Sequence, residues 1–306
     1  APYCCHLLLA NDTGAIYLEY CLVMKKLIVA LLPKRLVPFV KKIKYRFDEY
    51  FIRIFAFSGI SSSLYYAFIS RQFDREHKSV LAGRIEYKHS LANIGISSVL
   101  LRRNIHRLEK GLIMQPRRDI FAEAYILETA KNYRESSLQG GLCEDEHKWA
   151  NDVLTDYFSI VGESKITLKA KAIFEQVLPL PAQDKRFVPY SHESLPQTDI
   201  SYEQLLTLFK RRRSVRWYQN KPIENGKLHR AIEAASLAPS ACNRQPFRFY
   251  VANNPDKATE IATCAMGTVG FAENLQCVIA VVGDLSAYPF ERDRHIIYID
   301  ASLASM

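Results

Sequence analysis

Residues 239–247 read PSACNRQPF, a polar stretch with a proline near each end. Pro239 and Pro246 fix backbone angles at both ends, and Gln245 is pushed toward extended geometry because it precedes a proline. Asn243 tolerates unusual loop angles and offers a short polar side chain. An apolar helical pattern precedes the stretch and a short apolar run follows it. We therefore predict a structured polar loop between a helix and a strand.

A basic cluster lies upstream, where residues 210–217 read KRRRSVRW. A capping box at residues 201–204 starts the helix that runs into this cluster. Alternate residues of an extended chain point to the same side, so Arg212, Ser214 and Arg216 would converge on one target. Two guanidinium groups and a hydroxyl suit a phosphate or a carbonyl-rich ring edge. The alternative is a solvated helix end, where cations complement the helix dipole.

The remaining C-terminal pattern mixes helices and strands. Apolar runs at 247–252 and 277–283 predict strands, and residues 256–265 between them predict a helix. No glycine-rich dinucleotide fingerprint accompanies this order of elements.

Taken together, residues 211 to about 306 resemble the N-terminal part of the nitroreductase family of FMN-dependent oxidoreductases. Four features match in order: Arg-Arg-Ser-Val-Arg at 212–216, Pro222-Ile223, the polar loop at 238–246, and Ile-Asp-Ala-Ser-Leu-Ala at 299–304. The resemblance implies an α+β fold in which a mixed sheet is flanked by helices. Because the chain stops at Met306, within what reads as the first turns of a helix, we expect a truncated domain with an incomplete flavin site.

The resemblance also implies a set of cofactor-binding residues. Arg212 and Ser214 would face the FMN phosphate and Arg216 the pyrimidine edge of the ring. The polar loop would contact the flavin from the partner subunit of a homodimer, with Ala241 where the family often has a second serine. The full set comprises Arg212, Arg213, Ser214, Arg216, Pro239, Ser240, Ala241 and Asn243.

The activity that the resemblance implies is ping-pong hydride transfer from NAD(P)H, through FMN, to a small-molecule electron acceptor that the sequence does not identify. The cofactor supplies the reactive group, so no side chain is required as a catalytic acid or base. The alternative is a flavin-binding or scaffold protein without turnover, associated with a membrane or with polysaccharide-biosynthesis machinery. Residues 95–200 resemble the helical region of longer nitroreductase-like proteins that are found near polysaccharide-biosynthesis genes.

Composition restricts the partners and the compartment. The 306-residue chain carries a formal net charge of +9, which favours anionic partners. No helix-turn-helix, zinc finger or aromatic RNA-binding motif is present, so we expect no nucleic-acid partner. The seven cysteines have no metal-ligand spacing, and we expect no metal site. Reduced thiols in a cytoplasmic protein are the expectation.

The chain is predicted to contain four regions. Residues 1–47 form a basic, apolar segment, of which 24–47 would either pack on its own domain or lie on an anionic membrane surface. Residues 48–178 form a helical domain, 179–200 a proline-rich linker, and 201–306 the truncated nitroreductase-like domain.

The helical domain contains two predicted features that the structure can test. Residues 98–111 predict one helix, and Pro116 is expected to open the next. Basic side chains in this region would form either an anion-binding face or a solvated face paired with acids: Arg102, Arg103, Arg107, Arg117 and Arg118.

Overall fold

The computed structural model describes Pro33 and residues 36–93, 98–178 and 186–306. These residues divide between two compact units, one ending at Leu81 and the other running from Ala82 to Met306. Residues 24–32 of the predicted membrane-facing helix lie outside the described residues, as do the prolines at 179 and 181.

The α-helices of the described residues are numbered in chain order. They are α1 (Val37–Phe55), α2 (Gly59–Leu64), α3 (Asp74–Ala92), α4 (Val99–Leu112), α5 (Glu123–Gln139), α6 (Glu144–Ile160), α7 (Lys165–Phe174), α8 (Tyr202–Arg211), α9 (Asn225–Ala235), α10 (Pro255–Thr263) and α11 (Ile296–Ser305).

In the unit that ends at Leu81, α1 contacts α2. Ser58 and Ser61 cap the start of α2 reciprocally, and a short π-helix, Tyr65–Ile69, follows it. The Tyr65 hydroxyl donates to Asp48 Oδ1 at 2.7 Å, which ties the π-helix to α1. No helix in the described ranges is both long and apolar enough to span a membrane.

In the unit that starts at Ala82, helices α4 to α7 share one core. α4 packs on α6, and α5 packs on α7. Leu101, Ile105 and Leu108 recur at helical spacing along α4 and are buried with Trp149 and Tyr157. The predicted helix at 98–111 is therefore confirmed. The prediction that Pro116 opens the next helix is wrong, because α5 begins only at Glu123, after the left-handed residue Ala122 at φ 65°.

The C-terminal part combines helices with a two-stranded antiparallel sheet. β1 (Phe247–Ala252) pairs with β2 (Val278–Gly283), so that Phe247 faces Gly283. Side chains of α9, β1 and α11 form the core that covers this sheet: Leu228, Ile232, Phe249, Val251 and Ala304. The combination of helices and strands agrees with the α+β prediction, while a larger mixed sheet stays a prediction.

The predicted domain boundary at 179–200 is not separately tested by this division. The unit from Ala82 to Met306 contains both the helical core and the two-stranded sheet. The described part of the linker, residues 186–200, has one 3-10 turn at His192–Ser194. The four-region organisation therefore stays a prediction.

Four cysteines of the described residues can be compared with the expectation of reduced thiols. Cys242, Cys264 and Cys277 are free. Cys143 takes part in a disulfide bond, so the expectation is wrong there.

Candidate functional site

The polar loop PSACNRQPF connects α9 to β1 and contains a 3-10 turn at Ala241–Asn243. Three of its non-glycine residues have positive φ: 55° at Cys242, 51° at Asn243 and 47° at Gln245. The expectation of extended geometry at Gln245 is therefore wrong. Asparagine is the residue that tolerates this left-handed region best, while cysteine and glutamine are rarer there. Such a backbone persists only where surrounding contacts hold it.

Several hydrogen bonds hold the loop. The backbone N–H of Ala241 donates to Asp300 Oδ2 at 2.9 Å, which connects the turn to α11. The backbone N–H of Gln245 donates to the Ser240 hydroxyl at 3.1 Å. The Gln245 side-chain amide donates to the Ser236 carbonyl at 3.2 Å, at the end of α9. The Ser240 hydroxyl therefore stabilises the loop from within.

Ionisable groups lie buried beneath the loop. Burial raises the pKa of Asp300 although the Ala241 N–H opposes the shift. Burial also raises the pKa of Tyr288, and the Asp300 carboxylate adds to that effect. The Arg244 guanidinium lies 4.8 Å from the Tyr288 ring centroid, a cation–π contact. Among the described residues, neither Arg244 Nε nor the Tyr288 hydroxyl has a hydrogen-bond partner.

The predicted flavin residues of the loop differ in exposure. Pro239 is exposed, whereas Ser240, Ala241 and Asn243 are half-buried. Ala241 has no hydroxyl to offer, but its N–H has a fixed partner in Asp300. These residues lie in one hydrogen-bonded loop, and their contact with a flavin stays a prediction.

The basic segment that follows α8 lies on open surface. Arg212, Arg213, Ser214 and Arg216 are all exposed. Within the described ranges, none of the three arginines forms an ion pair with an acid. Arg213 and Arg216 donate only to nearby backbone carbonyls, at 2.9 and 3.4 Å. Three guanidinium groups are thus free to meet an anion.

The backbone of the basic segment bends instead of running straight. The N–H of Val215 donates to the carbonyl of Arg213 at 3.0 Å, which closes a three-residue turn around Ser214. Arg216 lies 6.0 Å from the Phe271 ring centroid. The simple alternation expected for a straight strand therefore does not describe this segment.

The structure does not bring the two predicted segments into contact within one chain. The described residues show no hydrogen bond, ion pair or ring contact between residues 212–216 and residues 239–243. Two clefts, of about 710 and 530 Å³, lie in the unit from Ala82 onward. The first is lined in part by Arg244 and Gln245, and neither is lined by the basic segment.

Sequence reasoning assigned no role in holding the loop to three residues: Arg102, Gln245 and Asp300. Asp300 lies in the fourth matching feature, so the signal was present but had no assigned role. Arg102 was expected on a basic face, yet it is buried and pairs with Glu146 at 2.7 Å. Arg107, on the same helix, stacks on the Tyr125 ring at 3.7 Å.

No cluster of three or more potential metal ligands occurs in the described ranges.

Comparisons with known proteins place a family resemblance in the C-terminal part of the chain. Residues 209–296 match the model of the Nitroreductase family. An NADH dehydrogenase of Thermus thermophilus is 36% identical over 75 residues, which cover 24% of this chain and 36% of that protein. A protein of Archaeoglobus fulgidus, named as a candidate NADH dehydrogenase/NAD(P)H nitroreductase, is 33% identical over 92 residues, covering 29% of this chain and 52% of its own length.

Iodotyrosine deiodinase 1 of Sus scrofa is 30% identical over 76 residues, which cover 24% of this chain and 26% of the relative. The matched segments therefore span between about a quarter and about half of these relatives. No solved structure matches the chain significantly.

Proposed function

We propose that the protein is an FMN-dependent NAD(P)H oxidoreductase of the nitroreductase type, acting on a small-molecule electron acceptor. The observation that carries the proposal is the family match at residues 209–296, which includes both the basic segment and the polar loop. Relatives named as NADH dehydrogenase and as a nitroreductase support the same reaction class.

The residues present fit FMN by their chemistry. The exposed guanidinium groups of Arg212, Arg213 and Arg216 have no acidic partner among the described residues, and such groups suit a phosphate. Ser214 adds a hydroxyl, and Arg216 would stabilise negative charge at the ring edge. The hydrogen-bonded loop at 239–243 would orient the ring. When bound, FMN supplies the two-electron hydride chemistry, and the side chains supply position and electrostatics.

We further propose that the working form is a homodimer in which each site takes the basic segment from one subunit and the polar loop from the other. Support comes from the separation of the two segments within one chain. Exposed apolar side chains beside the basic segment also favour it, since Leu208 is 64% and Trp217 73% exposed.

The first test is to titrate the purified protein with FMN, follow flavin absorbance, and then measure oxidation of NADH and NADPH. We expect a bound yellow flavin that either donor reduces. Arg216→Ala should weaken FMN binding about tenfold, because a charge-assisted hydrogen bond is lost. The control Lys221→Ala removes an exposed cation outside the basic segment and should leave binding unchanged. A protein that stays colourless with excess FMN would overturn the proposal.

A second candidate function is a scaffold without turnover that contacts an anionic membrane through α1. The favouring observation is that α1 exposes the cations Lys42, Arg46 and Arg53 together with aromatic side chains, Phe39 at 61% and Phe47 at 60%. Cations and exposed aromatic rings suit the surface of an anionic bilayer.

Co-sedimentation with vesicles of phosphatidylcholine and phosphatidylserine tests this candidate. We expect binding that Lys42→Glu/Arg46→Glu abolishes and that the control Lys165→Glu/Lys169→Glu, on exposed sites of α7, retains. Flavin turnover without vesicle binding favours the first function alone. Vesicle binding without flavin reduction favours the second.

A further inference from the structure

A buried ion pair lies next to the polar loop. Arg102 of α4 is 8% exposed and Glu146 of α6 is 5% exposed, and Arg102 Nε donates to Glu146 Oε1 at 2.7 Å. Desolvating two charges is costly unless the remaining donors also find partners. The guanidinium still has its Nη donors available after this contact.

One of those remaining donor groups, Nη1, reaches the loop. Arg102 Nη1 donates to the Arg244 carbonyl at 3.5 Å and to Gln245 Oε1 at 3.4 Å. The other end of the same amide donates to the Ser236 carbonyl at 3.2 Å. Gln245 therefore links the helical core to the end of α9, with both groups of its side-chain amide in use.

The loop needs external support because its own backbone is unfavourable. Cys242, Asn243 and Gln245 all occupy the left-handed region. α4 packs directly against the 3-10 turn at Ala241–Asn243. Asp300 holds the start of the turn, and Arg102 holds its far end.

We infer that Arg102 is a positioning residue, through which the helical core fixes the conformation of the loop and thereby the flavin site. The inference rests on the proposed function only in its last step, contact between loop and flavin. The helical region thus acquires a defined role, since it prepares the loop in the free protein before any ligand binds.

We call the contacts of Arg102 with the Arg244 carbonyl and with Gln245 the clamp. Amide hydrogen exchange of the FMN-free protein tests directly whether the clamp holds the loop. Arg102→Lys retains a charge beside Glu146 but loses the guanidinium fork. Gln245→Ala leaves the ion pair intact and removes the acceptor. We expect exchange of the amides at 241–245 to accelerate about tenfold in both variants, since hydrogen bonds to a charged group are lost.

A matched control is available on α6, the helix that carries Glu146. Lys148 is buried in α6 and pairs with Asp152 at 2.5 Å, away from the loop. Lys148→Met removes a buried ion pair of the same kind, so it reports general loss of stability. We expect exchange at 241–245 to stay within about twofold of the parent protein, after correction for global unfolding.

FMN titration of the same variants provides the second measurement. Arg102→Lys and Gln245→Ala should each weaken FMN binding about tenfold, while Lys148→Met should not. Loop exchange that is unchanged in both loop variants, or equally fast in Lys148→Met, overturns the clamp. A clamp confirmed by exchange in a protein that binds no FMN overturns the proposed function instead.

Discussion

Cys242 has a backbone conformation that residues with a Cβ rarely adopt, at φ 55° and ψ 28°. The Cys242 side chain is half-buried, so it packs within the loop as well as facing solvent. A β-branched residue is a strong outlier in this region, whereas glycine enters it freely. Substitutions at this position therefore test the strain.

Cys242→Val should lower the free energy of unfolding by about 1–2 kcal/mol, because the branched side chain opposes the left-handed backbone. Cys242→Gly should change the free energy by less than about 1 kcal/mol, since relief of strain offsets the greater flexibility of the unfolded chain. Urea unfolding measures both. The control is Cys264→Val, at a right-handed position at φ −72°. Equal losses in the two valine variants would argue against strain at Cys242.

Asp300 makes the stability of the folded protein depend on pH. Burial raises its pKa, so the folded protein holds the proton more tightly than the unfolded chain. The contribution of Asp300 to the free energy of unfolding is therefore complete below the ordinary aspartate pKa. It is lost as the pH rises through the raised pKa of the folded state.

Asp300→Asn should remove this pH dependence, because an amide oxygen still accepts from the Ala241 N–H but cannot ionise. The stability of the parent protein should fall relative to the variant as the pH rises from the ordinary aspartate pKa. Urea unfolding across acidic to neutral pH gives the difference curve. The exposed carboxylate variant Asp199→Asn serves as control. A flat difference for Asp300→Asn would contradict the assignment.

Helix α8 has a capping box but little packing support. Ser201 and Gln204 form the reciprocal capping box predicted from the sequence, with bonds of 3.3 and 2.8 Å. No residue of α8 is buried, so little packing supports the helix. The capping box of α7 at Ser164 is a natural comparison, because α7 buries Thr167 and Ala170.

Ser201→Ala should destabilise α8 locally by about 1 kcal/mol, which corresponds to about fivefold faster amide exchange within that helix. Ser164→Ala should lower global stability instead, because α7 unfolds with the core. Exchange read helix by helix separates the two effects. Unchanged exchange of α8 in Ser201→Ala would mean that the cap contributes nothing there.

The sequence predicted elements whose signals are local. Both strands were predicted within one residue, because apolar runs bounded by Pro246 and by Gly283 leave few alternatives. The failed helix at Pro116 shows the limit, since left-handed Ala122 delays α5 and no neighbouring residue type signals it. For Arg102, the decisive partner Glu146 lies 44 residues away, a contact that no periodicity can reveal.

At the scale of the whole molecule, α8 and the basic segment after it expose large apolar side chains. Leu208 and Phe209 of α8 are 64% and 51% exposed, and Trp217 follows at 73%. A second copy of the chain at this surface would bury these side chains. The proposed dimer requires that a loop from the partner subunit also lies close to the basic segment.

Leu208→Asp should weaken self-association about tenfold or more, because a charge would be buried at the contact. Sedimentation equilibrium at several concentrations measures the dissociation constant. Leu178→Asp is the matched control, since Leu178 is 85% exposed and lies at the end of the helical core. A parent protein that is monomeric at every concentration would remove the dimer.

The bond from Arg102 to the Arg244 carbonyl joins positions 142 residues apart. Contacts between such distant parts of a chain form late, since the loop-closure entropy must be overcome before they can stabilise anything. During synthesis, α4 and α6 leave the ribosome well before the loop does, so we expect their surface to fold first. Pulse-labelled exchange during refolding should therefore show protection of α4 and α6 before residues 241–245. Formation of the polar loop is therefore expected to be a late event of folding.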